Sequence, residues 1–215
     1  MNQRIVHFFD EPGERNTDDV ITAVVERAKE GGIEAVVVAS VSGRTAVKIA
    51  ETLKGQSLET KVVCVSGPPS WERDAPQYKF PLIANEERKR LETLRVQIVD
   101  QTKEPYKPIT LREIWEKKTL VVPYPESNLF WMTLICVGGH GFRTAIEVVF
   151  MAVEAGALRA EQKVISAAGT NRGLDSAVVL KACRFDCAVG RDPSKRLKVE
   201  EILAMPKQTT WRGYG

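Results

Sequence analysis

The sequence predicts an α/β fold built on a largely parallel sheet. Three observations carry that expectation. Apolar runs alternate with amphipathic segments of helical period through the first third, Ala35 to Ala39 is an almost unbroken valine run, and the last third returns to regular alternation after an irregular middle. A valine run without polar alternation marks a strand covered on both faces. Strands alternating with helices imply βαβ units.

Arg4 to Phe9 reads as the first strand. Asn16 and Thr17 are good cap residues, Asp18 and Asp19 suit a first turn, and Val20, Ile21, Val24, Val25 and Ala28 recur at helical spacing up to Gly31-Gly32. Ala35 to Ala39 is the second strand. Ala46, Val47, Ile49, Ala50 and Leu53 form the apolar face of a second helix closed by Gly55, and Lys61 to Val65 is the third strand. Gly67 to Leu82 holds four prolines and reads as a loop. A polar helix is expected from Asn85 to near Leu94, then a strand at Val96 to Val99. Thr110 with Glu113 forms a capping-box pattern, and Leu120 to Val122 is a weak strand or a connection. Ile146, Val149, Phe150 and Val153 place a helix over Thr144 to Ala155. Val164 to Ala168 is a strand, Ala177 to Ala182 an extended run close enough to pair antiparallel with it, and Leu197 to Met205 a terminal helix.

The 215 residues fit one domain, 1–215, with a divergent proline-rich insert at about 68–128. Apolar residues make up 43% and charged residues 27%, the balance of a globular protein. Lys plus Arg number 31 against 28 Asp plus Glu, a net charge of +3, which gives no case for a nucleic-acid or membrane footprint. The four cysteines (Cys64, Cys136, Cys183, Cys187) are too scattered for a disulfide framework, and Cys183-x-x-x-Cys187 has the wrong spacing for a zinc knuckle. No signal-peptide core stands at the N-terminus, and the longest apolar stretch, Leu129 to Gly139, is about half the ~20 residues of a spanning helix. The expectation is a cytoplasmic, reduced protein. The proline-rich insert and the aromatics around Phe130 and Trp131 leave a homo-oligomer open.

Three loops carry residues suited to an anion. Ser40-Val41-Ser42-Gly43-Arg44-Thr45 joins a buried strand to a helix, at the sheet edge where α/β proteins bind ligands. Amides at the helix start favour an anion, the hydroxyls of Ser40, Ser42 and Thr45 donate, Gly43 permits close approach, and Arg44 offers a forked cation. No Walker loop is present. Gly139-His140-Gly141-Phe142-Arg143 precedes the next strong helix, repeats the Arg-Thr-Ala triplet of 44–46 at 143–145, and contains one of only two histidines. Gly169-Thr170-Asn171-Arg172 with Asp175 follows a buried strand. There Arg172 suits a phosphate and Asp175 a sugar hydroxyl or ring N–H. Asp10 and Glu11 end the first strand toward the same edge, and Glu11 and the cap residue Asn16 are further candidates.

Ser42-Gly43-Arg44-Thr45-Ala46 after a valine strand resembles the phosphate loop of the pyruvate kinase C-terminal domain, where it holds a sugar-phosphate effector rather than forming the catalytic centre. The whole chain is more similar to the stand-alone, largely prokaryotic proteins built on that domain's fold. The likeness lies in Phe9-Asp10-Glu11-Pro12-Gly13 with Asn16-Thr17, Val38 to Gly43, Glu147 through Gly156, and Val164-Ile165 leading to Gly169-Thr170, Arg172-Gly173 and Asp175. Residues 68–128 depart from the pattern, with Gln101-Thr102-Lys103 where a Thr-His segment is expected.

The resemblance implies a three-layer α/β/α sandwich whose mostly parallel sheet has an antiparallel edge strand, filled by Ala177 to Ala182. It implies no pyruvate kinase activity, since the catalytic barrel is absent. Similar stand-alone proteins are associated with flavin mononucleotide (FMN). The expected ligand is therefore a phosphorylated small molecule, FMN first, with its phosphate on the 40–45 loop. The 139–143 and 169–175 loops would border the flavin, and Phe142 would stack on a ring. That reading makes the chain a flavoprotein and a candidate oxidoreductase. The alternatives are a non-catalytic module sensing a phosphorylated metabolite, and a non-redox enzyme using Glu11 or His140.

Overall fold

A computed structural model of the chain describes residues 3–67, 82–99, 128–188, 190 and 192–208. Seven strands form one sheet in the order β1-β7-β6-β5-β2-β3-β4. The strands are β1 (His7–Phe9), β2 (Ala35–Ala39), β3 (Lys61–Val65), β4 (Gln97–Val99), β5 (Lys163–Ala168), β6 (Ser176–Lys181) and β7 (Lys198–Pro206). β2 pairs parallel with both β3 and β5, β3 with β4, and β1 with β7. β6 runs against β5 and β7. The helices are α1 (Thr17–Lys29), α2 (Arg44–Gly55), α3 (Asn85–Thr93), α4 (Asn128–Glu154) and the short α5 (Phe185–Ala188).

The pleat of β2 shows why its valines are needed. Val36 and Val38 pack with Val20, Val24, Ile49, Leu53 and Leu91 of α1, α2 and α3. Ala35 and Val37 pack on the opposite face with Ile146, Val149 and Phe150 of α4 and Phe185 of α5. Successive side chains of a strand point to opposite faces, so a strand between two helical layers must be apolar throughout. The result is helices on both sides of a mostly parallel sheet, with a hydrophobic core on each side. Each fully buried Val, Leu or Ile contributes about 1.5–3 kcal/mol of transfer free energy.

Several expectations need correction. The first strand spans only 7–9 rather than beginning at Arg4. β6 is antiparallel, but it lies inside the sheet between β5 and β7 instead of at an edge. Its place follows from β7, because 198–206 is a strand and not the expected terminal helix. Glu200 and Glu201 suit a helix, yet on β7 they meet Lys163, and Glu201 pairs with the buried Arg27 of α1. Cys64 and Cys183 are buried as a reduced thiol in an apolar run should be, whereas Cys136 is exposed. The turn-rich segment 68–81, the capping-box pattern at Thr110–Glu113 and the run at Leu120–Val122 lie outside the described residues.

α4 is the largest departure. The expected glycine loop at 139–141 falls inside this helical segment, which is broken at Gly139 (φ 80°, ψ −174°). The ring centroids of Phe130 and Phe150 lie 6.4 Å apart. On a straight helix, twenty residues would separate them by about 30 Å at 1.5 Å per residue. α4 is therefore a helical hairpin, with 128–138 folded back against 140–154. Trp131 stacks on Phe185 at 5.4 Å with the rings 7° from parallel. By length and composition, Phe130–Glu154 is long and apolar enough to cross a membrane. Folded back at Gly139, neither arm reaches the ~30 Å of a bilayer core.

Candidate functional site

Because β2, β3, β4 and β5 are parallel, the loops that follow them emerge at one edge of the sheet. The chain goes from β2 outward to β3 and β4, while β5 joins β2 on its other flank. The β2–β5 boundary is thus the point where strand order reverses, the place where open α/β sheets bind ligands. The 40–45 loop leaves β2 and the 169–175 loop leaves β5, so the topology sets these two segments on either side of that point. β1 also ends at this edge, which brings the 10–16 segment to it.

The 40–45 loop is a compact turn. Gly43 N–H donates to the Ser40 carbonyl (3.2 Å), and Gly43 adopts a left-handed conformation (φ 81°) just before the first residue of α2. Ser40 is buried; its hydroxyl accepts from Thr45 Oγ1 (2.7 Å) and Ala46 N–H (3.4 Å). Ser40 and Thr45 therefore brace the turn from within instead of presenting hydroxyls to a ligand. Among the described residues, the amides of Arg44 and Thr45 have no acceptor. The Arg44 side chain is 74% exposed, and its Nε stands 3.8 Å from Glu87 Oε1 of α3. A Cβ at Gly43 would stand 3.1 Å from Leu91 Cδ1, so α3 covers one side of the turn.

The 169–175 loop is organised by Asp175, which is fully buried. Its Oδ2 accepts from Gly13 N–H (3.0 Å) and Thr170 N–H (2.9 Å), and its Oδ1 from Ser176 Oγ (2.9 Å). Three donors satisfy a carboxylate that burial would otherwise penalise. Asp175 thereby ties the end of β1 to the loop between β5 and β6. Leu174 N–H donates to Thr17 Oγ1 (3.0 Å), a second tie of the same kind. Asn171 and Arg172 are exposed, with Asn171 left-handed (φ 65°). Asn16 is buried and donates to the Glu11 carbonyl (2.8 Å), while the exposed Glu11 side chain pairs with Arg15.

The 139–143 segment also reaches this edge, because Gly141 lies directly against Asp175 and Ser176. Phe142 is not a platform for a ring. It is a core residue packed on Gly138, where any Cβ would run into its ring. His140 is half-buried; burial, and secondarily the Arg143 charge, lower its pKa, with Asp175 opposing. Arg143 lies over the Trp131 ring, 4.8 Å from its centroid, and grips Glu147 with two contacts of 2.7 and 3.0 Å. Burial raises the pKa of Glu147 despite that partner. The Arg143–Glu147 pair follows from its i,i+4 spacing, the separation at which helical side chains meet.

The edge thus gathers the 40–45 turn, the 169–175 loop, the Gly139–Gly141 break and the Glu11–Asn16 segment. Its exposed groups are Arg44, Arg172, Asn171, Glu11, Glu14 and Arg15, with Glu11 and Arg15 paired to each other. Among the described residues no cluster of His, Cys, Asp and Glu is arranged to hold a metal ion. The sequence matches no known family model.

Proposed function

We propose that this chain is a small-molecule phosphate-binding protein whose anion seat is the turn between β2 and α2. The observation that carries the reading is this turn's place beside the strand-order reversal. It enters a twelve-residue helix through left-handed Gly43, and Arg44 and Thr45 bring to the mouth amides that have no acceptor among the described residues. Helix-start amides and a guanidinium together favour a doubly charged group.

FMN is the first ligand to test, since it is the one the resemblance names. The phosphate end suits Ser42, Arg44 and the 44–45 amides. Phe142, held in the core, does not offer its ring to a flavin, and the function proposed is binding alone. Purified protein that is yellow, or that quenches added FMN fluorescence, supports the assignment. Arg44→Ala should abolish phosphate binding while leaving the melting temperature within a degree or two, because the side chain is exposed. Unchanged affinity in that variant refutes the seat.

A non-catalytic sensor of a phosphorylated metabolite is the second reading, and Asp175 favours it. The buried carboxylate of this edge is engaged by three donors, which commits it to structure rather than proton transfer. A thermal-shift series with sugar phosphates and nucleotides separates the two, since a ligand at 100-fold over Kd stabilises by about 2.7 kcal/mol.

A further inference from the structure

We propose that Glu87 is a built-in competitor for the anion seat, so that a phosphorylated ligand binds only by displacing this carboxylate from Arg44. The inference rests on the phosphate-binding reading above and adds its regulation. α3 is strongly charged, and Glu86, Lys89 and Arg90 are exposed as a solvated helix face should be. Glu87 is different: it is only 19% exposed and turns toward the start of α2. Its Cβ would lie 3.5 Å from a Cβ at Gly43, and its Oε1 is 3.8 Å from Arg44 Nε. The carboxylate therefore stands beside the guanidinium that an incoming phosphate would use.

The element that carries Glu87 is anchored independently of it. Leu91 of α3 is fully buried against α2, and Arg90 pairs with Glu51 of α2 at 2.7 Å. Removing the Glu87 charge should therefore leave α3 in place and change the electrostatics of the seat alone. Two anions on one guanidinium repel, so the resident carboxylate lowers affinity for every ligand that uses the seat, whatever its remaining chemistry. A partly exposed ion pair of this kind is worth a modest amount, which sets the expected scale.

The test titrates wild type, Glu87→Gln, Glu86→Gln and Glu87→Gln/Arg44→Ala with inorganic phosphate and with FMN at low ionic strength. Glu87→Gln should bind about two- to five-fold more tightly than wild type, a gain matching a surface pair and screened by added salt. Glu86→Gln, the same charge change on the exposed face of α3, should leave affinity unchanged. The double variant should lose the gain. Binding by Glu87→Gln alone, with none in wild type, supports the competitor and the seat together. Binding by wild type that is equal or stronger than that of Glu87→Gln overturns the competitor and leaves the seat standing. An equal gain in Glu86→Gln also overturns the competitor, since net charge alone would then explain it. No binding by any variant overturns both.

Discussion

Replacing Gly141 by alanine sets the local preference of a helix against the packing of the fold. Gly141 lies within α4, and alanine there favours the helical backbone by about 1 kcal/mol. A Cβ at this position, however, would stand 2.6 Å from Ser176 Oγ and closer still to Asp175 Oδ1. Neither partner is the free end of a flexible side chain. Asp175 is held by Gly13 N–H, Thr170 N–H and Ser176 Oγ, all within 3.0 Å. Admitting the methyl group means losing at least one hydrogen bond to a charged group, about 1.5–3 kcal/mol. Strain from overpacking adds about 1–3 kcal/mol. After the helical gain is subtracted, the net loss is about 1.5–5 kcal/mol, which for a chain of this size lowers the melting temperature by roughly 3–20 °C. Urea denaturation followed by circular dichroism measures it directly. A Gly141→Ala variant as stable as wild type would refute the rigid seating of Asp175 against α4.

Two further predictions concern charge. Burial raises the pKa of Glu147 above the ordinary 4.5, so the folded state favours its protonated form. Stability from that group is full below 4.5 and is lost as pH rises through the elevated value. The stability difference between wild type and Glu147→Gln, followed by denaturation from pH 4 to 7, should fall across that window; a flat difference refutes it. Glu201 is the opposite case, its pKa lowered first by the hydrogen bond from Arg27 and held down further by Arg27, Arg4 and Lys163 charges. Its contribution is present above 4.5 and disappears as pH falls through the depressed value. Glu201→Gln should cost up to about 3 kcal/mol at neutral pH by removing the nearest carboxylate from the buried Arg27, which keeps the Gly31 carbonyl at 3.0 Å and Glu30 at 3.7 Å, and the cost should shrink on acidification. A loss under about 0.5 kcal/mol in calorimetry counts against the pair.

The α/β core was legible because its signals are local. The valines of β2, the period of α2 and the apolar run of β3 each dictate one structure without outside help. β7 was not legible. Leu197 to Met205 reads as a helix, and only pairing with β6 and β1 and the ion pairs of Glu201 make 198–206 a strand. Clustered glycines at 138–141 suggested a loop, since glycine usually marks one. Here they do three separate jobs: Gly138 makes room for the Phe142 ring, Gly139 turns the hairpin, and Gly141 admits Asp175. At the site, strand, turn and helix start were visible in the 40–45 residues. The inward roles of Ser40 and Thr45, the saturation of Asp175 and the approach of Glu87 were not, because they depend on contacts formed only in the folded turn or supplied by distant parts of the chain.

The pairing of β1 with β7 has a consequence for how the molecule is made. Among the described residues, the strand at 7–9 has a single ladder partner, and His7 faces Ala204. A ribosome delivering about 5–20 residues per second needs on the order of ten seconds or more to supply that partner. Through that interval the newborn chain carries Ile5 and Phe8, both still solvent-facing in the finished fold, next to an unzipped backbone. Early chaperone capture of this segment, or clumping when synthesis is fast, is the natural hazard of a sheet that closes with its last strand.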